Sequence, residues 1–211
     1  FNGANETIQV LDDNDLDITS SFTIMAWINI SQLPASGDID GIIGKGINNT
    51  PRDSYNYIFS LSRQAGTSNK LSLSFSASTS DIQDVNYTFS HTLGQLYHVA
   101  GVFDDSANTL TLYQDGIQVA QRTGVTSTPS TNNFNLTIGG ARTGTGFSAS
   151  IDYFNGTIDE PMIWNRPLNT TEIEEFYFTN LHKYDNDSWV LYVNQSKNTT
   201  AGLGIGNYTY Y

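Results

Sequence analysis

Two kinds of residue in this sequence could do chemistry: carboxylates, which outnumber Lys and Arg 21 to 9, and asparagines with Ser or Thr two positions on. Two carboxylates facing one another across a sugar, about 5 to 9.5 Å apart, can hydrolyse a glycosidic bond. On a strand that geometry asks for acidic residues on one face, two or four positions apart. Asp159 and Glu160 are adjacent and so point to opposite faces, while Glu172, Glu174 and Glu175 fall on a predicted helix as capping and solvated groups. No catalytic pair is found on this reading, and the chain is expected not to be an enzyme. The histidines add nothing: His91 and His98 fall on different predicted strands, His182 follows the helix, and none has zinc spacing. Without cysteine there is no thiol nucleophile, and no Ser-His-Asp grouping can be picked out.

Calcium is the one metal with a case. Asp12-Asp13-Asn14-Asp15-Leu16-Asp17 is dense in oxygen ligands, but Ile18 stands where an EF-hand loop needs glycine and Ile24 where it needs a bidentate Glu. A rim site using Asp159 with Asp12 or Asp40 is the alternative, against the plainer reading that these acids are solvated loop residues. No cofactor is required; a structural calcium would be the sole one. For sugar binding the physics asks for exposed aromatic rings flanked by amides and carboxylates. Tyr55, Tyr57, Tyr153 and Phe147 sit near loops, and Trp27 is out of phase with Ile24 and Ile28, but a helix is there to cover one of the two outer faces, which favours packing over display.

The second chemistry is modification. Asn-x-Ser/Thr occurs at Asn5, Asn29, Asn48, Asn86, Asn135, Asn155, Asn169, Asn186, Asn194, Asn198 and Asn207. Random placement predicts roughly 4 to 5 such acceptors. Alternation in Val85-Asn86-Tyr87-Thr88-Phe89 puts Asn86 outward, and in Phe134-Asn135-Leu136-Thr137-Ile138 it puts Asn135 and Thr137 on the solvent face. Asn155-Gly156-Thr157 reads as a turn. These acceptors predict an N-glycosylated, extracellular surface.

Composition narrows the partners. A net charge of −12 would repel nucleic-acid phosphates, so no nucleic-acid partner is expected. No apolar run is long enough to cross a bilayer, so no direct membrane insertion is expected. Hydrophobic residues at 38%, with 12 Tyr, 11 Phe and 3 Trp, suffice for one large core. The lack of cysteine leans towards a microbial surface protein. Phe1 reads as mid-strand, with neither a start methionine nor a signal peptide before it, which predicts a piece of a longer precursor.

The elements that must position these residues are mostly strands. Phe22, Ile24, Ala26, Ile28 and Ile30 share one phase, and Leu71, Leu73 and Phe75 alternate with serines. Leu110 and Leu112 alternate likewise, and further strands are predicted near 6–11, 40–45, 55–62, 85–90, 96–103, 117–122, 134–139 and 156–164. Turn residues such as Asp115-Gly116 and Gly139-Gly140 separate them. One helix interrupts, with Asn169 as its cap, Glu172 as the capping-box partner, and Ile173, Phe176 and Tyr177 as its apolar stripe. The pattern predicts an all-β sandwich or barrel with one short C-terminal helix and extra C-terminal strands, which the resemblance that follows makes an antiparallel two-sheet jelly-roll sandwich.

Three segments carry a family resemblance. Phe1-Asn2-Gly3 with Leu16-Asp17-Ile18 and Ser21 to Trp27 resembles the opening of laminin-G-like, concanavalin A-like lectin/glucanase jelly rolls. Tyr97 to Phe103 followed by Leu110 to Gly116 is similar to that family's central hairpin. Gly156 to Glu160, then Ile163 to Leu168 and Glu172-Ile173, is similar to its closing motif. The resemblance covers residues 1–180 and implies two packed, curved antiparallel sheets. Residues 181–211 form a C-terminal extension that resembles the start of an Ig-like repeat of microbial, archaeal-type surface proteins. Trp189 to Val193 and Tyr208 to Tyr211 read as strands that must pair with the sandwich, a following module or another copy.

The function expected from these readings is a non-enzymatic, N-glycosylated cell-surface structural and adhesive module, a repeat of a filament, stalk or surface layer. Its expected partners are copies of itself or neighbouring surface modules, joined through the C-terminal strands. The alternative is a lectin-like module with glycans as partners.

Overall fold

Alternating apolar residues fold the chain into two stacked sheets. The computed structural model describes residues 1–35, 38–48, 54–63, 69–143, 150–183 and 189–193. The larger, eight-stranded sheet runs β1 (Ile8–Val10), β10 (Leu136–Ile138), β3 (Ile39–Asn48), β4 (Ser54–Arg63), β5 (Asn69–Ser78) and β6 (Asp81–Thr88). In it β11 (Gly140–Thr143) lies against β3, and β12 (Ser150–Tyr153) against β11. The five-stranded sheet runs β13 (Gly156–Trp164), β2 (Phe22–Ile30), β7 (Leu96–Asp104), β8 (Thr109–Gln114) and β9 (Ile117–Thr123). All pairings are antiparallel except β11 on β3, which is parallel.

The core lies between the sheets. The phase-sharing side chains of β2 meet Phe59 and Leu61 of β4, Leu71, Leu73 and Phe75 of β5, Val99 and Phe103 of β7, and Leu110 and Leu112 of β8. Phe75 links the layers, its ring 6.3 Å from Phe22 and 4.7 Å from Phe103. Burial of this apolar surface drives the stacking. Where β7 crosses β5, a Cβ on Gly101 would stand 2.9 Å from the Leu73 side chain, so glycine lets the layers close.

Two bulges set which side chains face inward. The β3–β4 register slips between Gly41 and Ile43, so Ile42 and Ile43 are both fully buried. It slips again where Gly46 pairs Tyr55 and Lys45 pairs Tyr57, leaving Asn56 as the extra residue. Tyr55 is thereby moved to the face of Ile58, away from the core side that holds Tyr57 and Phe59.

The outer face of the small sheet is covered by α1 (Thr170–Phe178), whose Ile173 packs with Leu168 on Met25, Ala100, Val102 and Tyr113. The predicted capping box is present: Glu172 N donates to Asn169 Oδ1 (3.0 Å) and Asn169 N to Glu172 Oε2 (2.9 Å). After it come β14 (Thr179–Lys183) and β15 (Trp189–Val193), which pair with each other. The predicted boundary at residue 180 thus cuts a strand, and the partner of Trp189 to Val193 is β14. The Gly202–Gly206 link and the strand at 208–211 lie outside the described residues. Strands β11, β12 and β14 were not expected from sequence.

Candidate ligand cleft at the sandwich rim

Four separate segments meet at one end of the larger sheet. The first three residues are tied to the start of β13: Phe1 N donates to Gly156 O (2.8 Å), Gly156 N to Phe1 O (2.9 Å) and Gly3 N to Phe154 O (3.1 Å). The β2–β3 link is held there too, by Ser31 N donating to Asn155 O (2.9 Å). Gly3, at φ +69°, has no room for a side chain, because a Cβ would lie 2.7 Å from Asn155 Nδ2. Asn155 in turn donates from Nδ2 to Gln32 Oε1 (3.3 Å).

The result is a cleft of about 290 Å³ lined by Asn2, Gly3, Gln32, Leu33, Pro34, Ala35, Asp38, Asp40, Tyr153 and Asn155. Asp40 is buried, Asp38 exposed and Tyr153 half-buried. Carboxylates and carboxamides offer acceptors and donors to hydroxyl groups, and Tyr153 is the one aromatic ring among the described lining residues. The cleft brings together Asp40 and Tyr153, which sequence reasoning had assigned to different roles, and adds Asp38. Asp38 and Asp40 have the two-residue spacing demanded of a carboxylate pair, but the sequence singles out Asp40 for calcium alone and Asp38 for nothing.

The other predicted residues are dispersed. Trp27 lies on the outer face of the small sheet, its ring 5.2 Å from His98 and near-stacked at 5.7 Å on Tyr177 of α1. Tyr57 does not fit the expectation of a displayed ring: it is fully buried 5.7 Å from Phe22, with its hydroxyl donating to Leu16 O (3.2 Å). Burial, then the charge of Asp17, raises the Tyr57 phenol above its ordinary range. Tyr55 is also buried, with Ile58, Ile39 and Ile82. Phe147 lies outside the described residues.

The three aspartates proposed for calcium are far apart in the fold. Asp12 binds the Lys45 ammonium (2.7 Å), Asp40 lines the cleft, and Asp159 is exposed on β13 with Oδ1 accepting from Glu160 N (3.0 Å). Among the described residues no group of three or more His, Asp and Glu could hold a metal ion. Lys45, which sequence reasoning did not single out, is wholly buried and also meets Asp17 Oδ1 at 2.8 Å.

Of the acceptor asparagines, Asn5, Asn86 and Asn169 are exposed, and Asn29, Asn135 and Asn155 are half-buried. Asn29 Nδ2 donates to Gly94 O (2.7 Å), and Asn135 Oδ1 accepts from Asp12 N (3.2 Å). Thr137 corrects the expected facing. It is buried, its Oγ1 within reach of Gly140 O (2.9 Å) and Gly44 O (3.2 Å), because β11 returns over the end of β10. The side chains of Asn48, Asn186, Asn194, Asn198 and Asn207 lie outside the described residues.

Residues 2–174 match the family model described as the Concanavalin A-like lectin/glucanases superfamily. No curated protein matches the chain. Among solved structures, domain 4 of AbnA, a GH43 extracellular arabinanase from Geobacillus stearothermophilus in complex with arabinotriose, is similar at TM-score 0.61 and 17% identity, over 84% of this chain and 74% of that one. The CBM40 of the Ruminococcus gnavus IT-sialidase, bound to α2,3-sialyllactose, is similar at TM-score 0.60 and 13% identity, over 82% and 97%. A heptameric SAP-like pentraxin from Limulus polyphemus is similar at TM-score 0.55 and 15% identity, over 88% and 90%. At these identities the likeness is one of fold.

Proposed function

This chain belongs to the Concanavalin A-like lectin/glucanases superfamily, and from that premise we propose that it is a non-catalytic, extracellular glycan-binding module. The observation that carries the reading is the rim cleft, where Tyr153 stands beside two carboxylates and the carboxamides of Asn2, Gln32 and Asn155. A concave site with few convergent polar groups is what a small oligosaccharide needs. Two of the similar structures hold oligosaccharides, which supports the reading by analogy. Calorimetric titration with a panel of oligosaccharides tests it. Binding should weaken at least about tenfold in Tyr153→Ala and in Asp38→Asn, with unfolding temperatures unchanged. No binding at millimolar sugar would sink it, and release of reducing sugar that stops in Asp38→Asn would replace it with a glycosidase.

A second reading keeps the surface-assembly role and rests on the terminal hairpin. Strands β14 and β15 pair only with each other among the described strands, and two strands bury little apolar surface alone. Three of the sandwich's edge strands are poor alternatives for strand addition. Edge strand β13 carries Pro161 and a bulge between Asp159 and Met162. Strands β6 and β9 are bridged by Arg122, which donates to Asp84 (3.2 Å) and Gln83 (2.9 Å). Deleting residues 186–211 should abolish assembly of the full protein. The exposed acceptors Asn5, Asn86 and Asn169 would carry N-glycans, read directly as excess mass on their peptides.

A further inference from the structure

Among the described residues, the polar partners of the buried Lys45 ammonium are all oxygens. Asp12 Oδ1 lies at 2.7 Å, Asp17 Oδ1 at 2.8 Å, Asn132 O at 2.8 Å and Asn132 Oδ1 at 3.3 Å. These oxygens come from the loop before β2 and from the loop before β10, so two distant loops converge on one atom carried by β3. An ammonium has three protons to donate, yet four oxygens surround it. Two carboxylates face a single positive charge, leaving the group one negative charge in excess. Lys45 itself is 0% exposed, whereas the Asp12 side chain is 31% exposed, so water reaches the cage from one side. Oxygen-only donors, excess negative charge and one open side are the attributes of a site for a hard divalent cation.

We infer that Lys45 is a tethered cation: its ammonium fills a ready-made oxygen cage, and a chain lacking that ammonium binds calcium at the same point. The cage clamps the Asp12–Asp17 loop to the large sheet, alongside the bonds from Asn56 to Ile18 and from Tyr57 to Leu16. With Lys45 in place the clamp works at any calcium concentration. Oxygens at 2.7–2.8 Å need draw in only slightly to reach the roughly 2.3 to 2.6 Å of calcium coordination, whereas magnesium demands about 2.0 to 2.1 Å in a strict octahedron. The inference stands apart from whatever fills the rim cleft.

Thermal unfolding of the wild type, Lys45→Ala and Lys45→Met, each in EDTA and in about 10 mM calcium, tests it. In Lys45→Ala the stem and the charge are gone, and calcium should raise Tm by about 3 °C or more beyond its effect on the wild type. In Lys45→Met an apolar stem still fills the space, and calcium should do no more than it does to the wild type. The gain should vanish when Asp12→Asn and Asp17→Asn are added to Lys45→Ala, and should be smaller with magnesium. Equal calcium shifts in all three proteins would overturn the inference. If Lys45→Ala is unfolded in EDTA, refolding yield replaces Tm: recovery in calcium supports the cage, and failure in both buffers overturns it.

Discussion

The outer faces of the two sheets are finished in opposite ways. On the small sheet Met25, Ala100, Val102 and Tyr113 are covered by Leu168 and Ile173, with Trp27 and His98 beneath Tyr177. On the large sheet the register sets a polar row across β4, β5 and β6, Ser60, Ser72 and Asn86, and a second one on β5 and β6, Ser74 and Asp84, beside Ile58 of β4. The first face is consumed in stabilising the fold. The second carries only a small apolar cluster, Tyr55 and Ile58, among its polar residues, and its rim carries the cleft. The candidate cleft and the helical cover thereby lie on different sides of one core, so each can be perturbed separately.

The strongest way to break this contrast is Ile173→Asp, which buries an unpaired charge under the helix. It should cost at least about 4 kcal/mol in chemical denaturation and strip α1 from the sheet. If stability hardly changed, the helix would not be the cover that the packing implies.

Next comes acid. His98 is 1% exposed, Nδ1 has no hydrogen-bond partner among the described residues, and burial lowers its pKa from 6.5 to about 4. Its neighbours are Trp27, Tyr177 and Asp115, whose carboxylate accepts the His98 backbone N–H at 2.9 Å. Burial raises Asp115 above the usual carboxylate range. The unfolded chain takes up a proton on His98 below about pH 6.5, and the folded chain does so only near pH 4. The contribution is therefore complete above pH 6.5 and lost as pH falls towards 4, about 3 kcal/mol in all. His98→Phe should flatten that slope in urea titrations run between pH 4 and 7; an unchanged slope would remove His98 from the account.

Smaller effects sharpen the contrast. Asn169→Ala removes the cap oxygen taken by Glu172 N and should cost about 1 kcal/mol, measured by urea denaturation. Ser72→Ala on the opposite face loses one bond to Asn86 Oδ1 and should cost only about 0.5 kcal/mol in the same measurement. Reversal of that order would mean that the serine rows carry more of the fold than their chemistry suggests.

Much of this architecture was legible in the sequence because its signals are local. The apolar phase of β2, the serine alternation of β5, the Asp115-Gly116 turn and the Asn169/Glu172 box each lie within one element, and each is found where expected. The same local logic failed at Tyr55, Tyr57 and Thr137. One extra residue at Asn56 changes the phase of its strand, and the return of β11 buries a hydroxyl that alternation placed outside. Periodicity cannot show either event, since both depend on a neighbouring strand.

The candidate site was the least legible part. Asp40 and Tyr153 were noticed singly, for different chemistries, while Asp38 was passed over. By itself the sequence determined the strand phases, the helix and its cap, the acidic charge and the family resemblance, because these follow from residue type and short spacing. Only the tertiary structure decided which carboxylates meet. Phe1 closes on Gly156, and Lys45 gathers Asp12, Asp17 and Asn132, through registers set by bulges and by packing between sheets. A buried charge or a cleft is a property of converging segments, and convergence is fixed by the whole core at once.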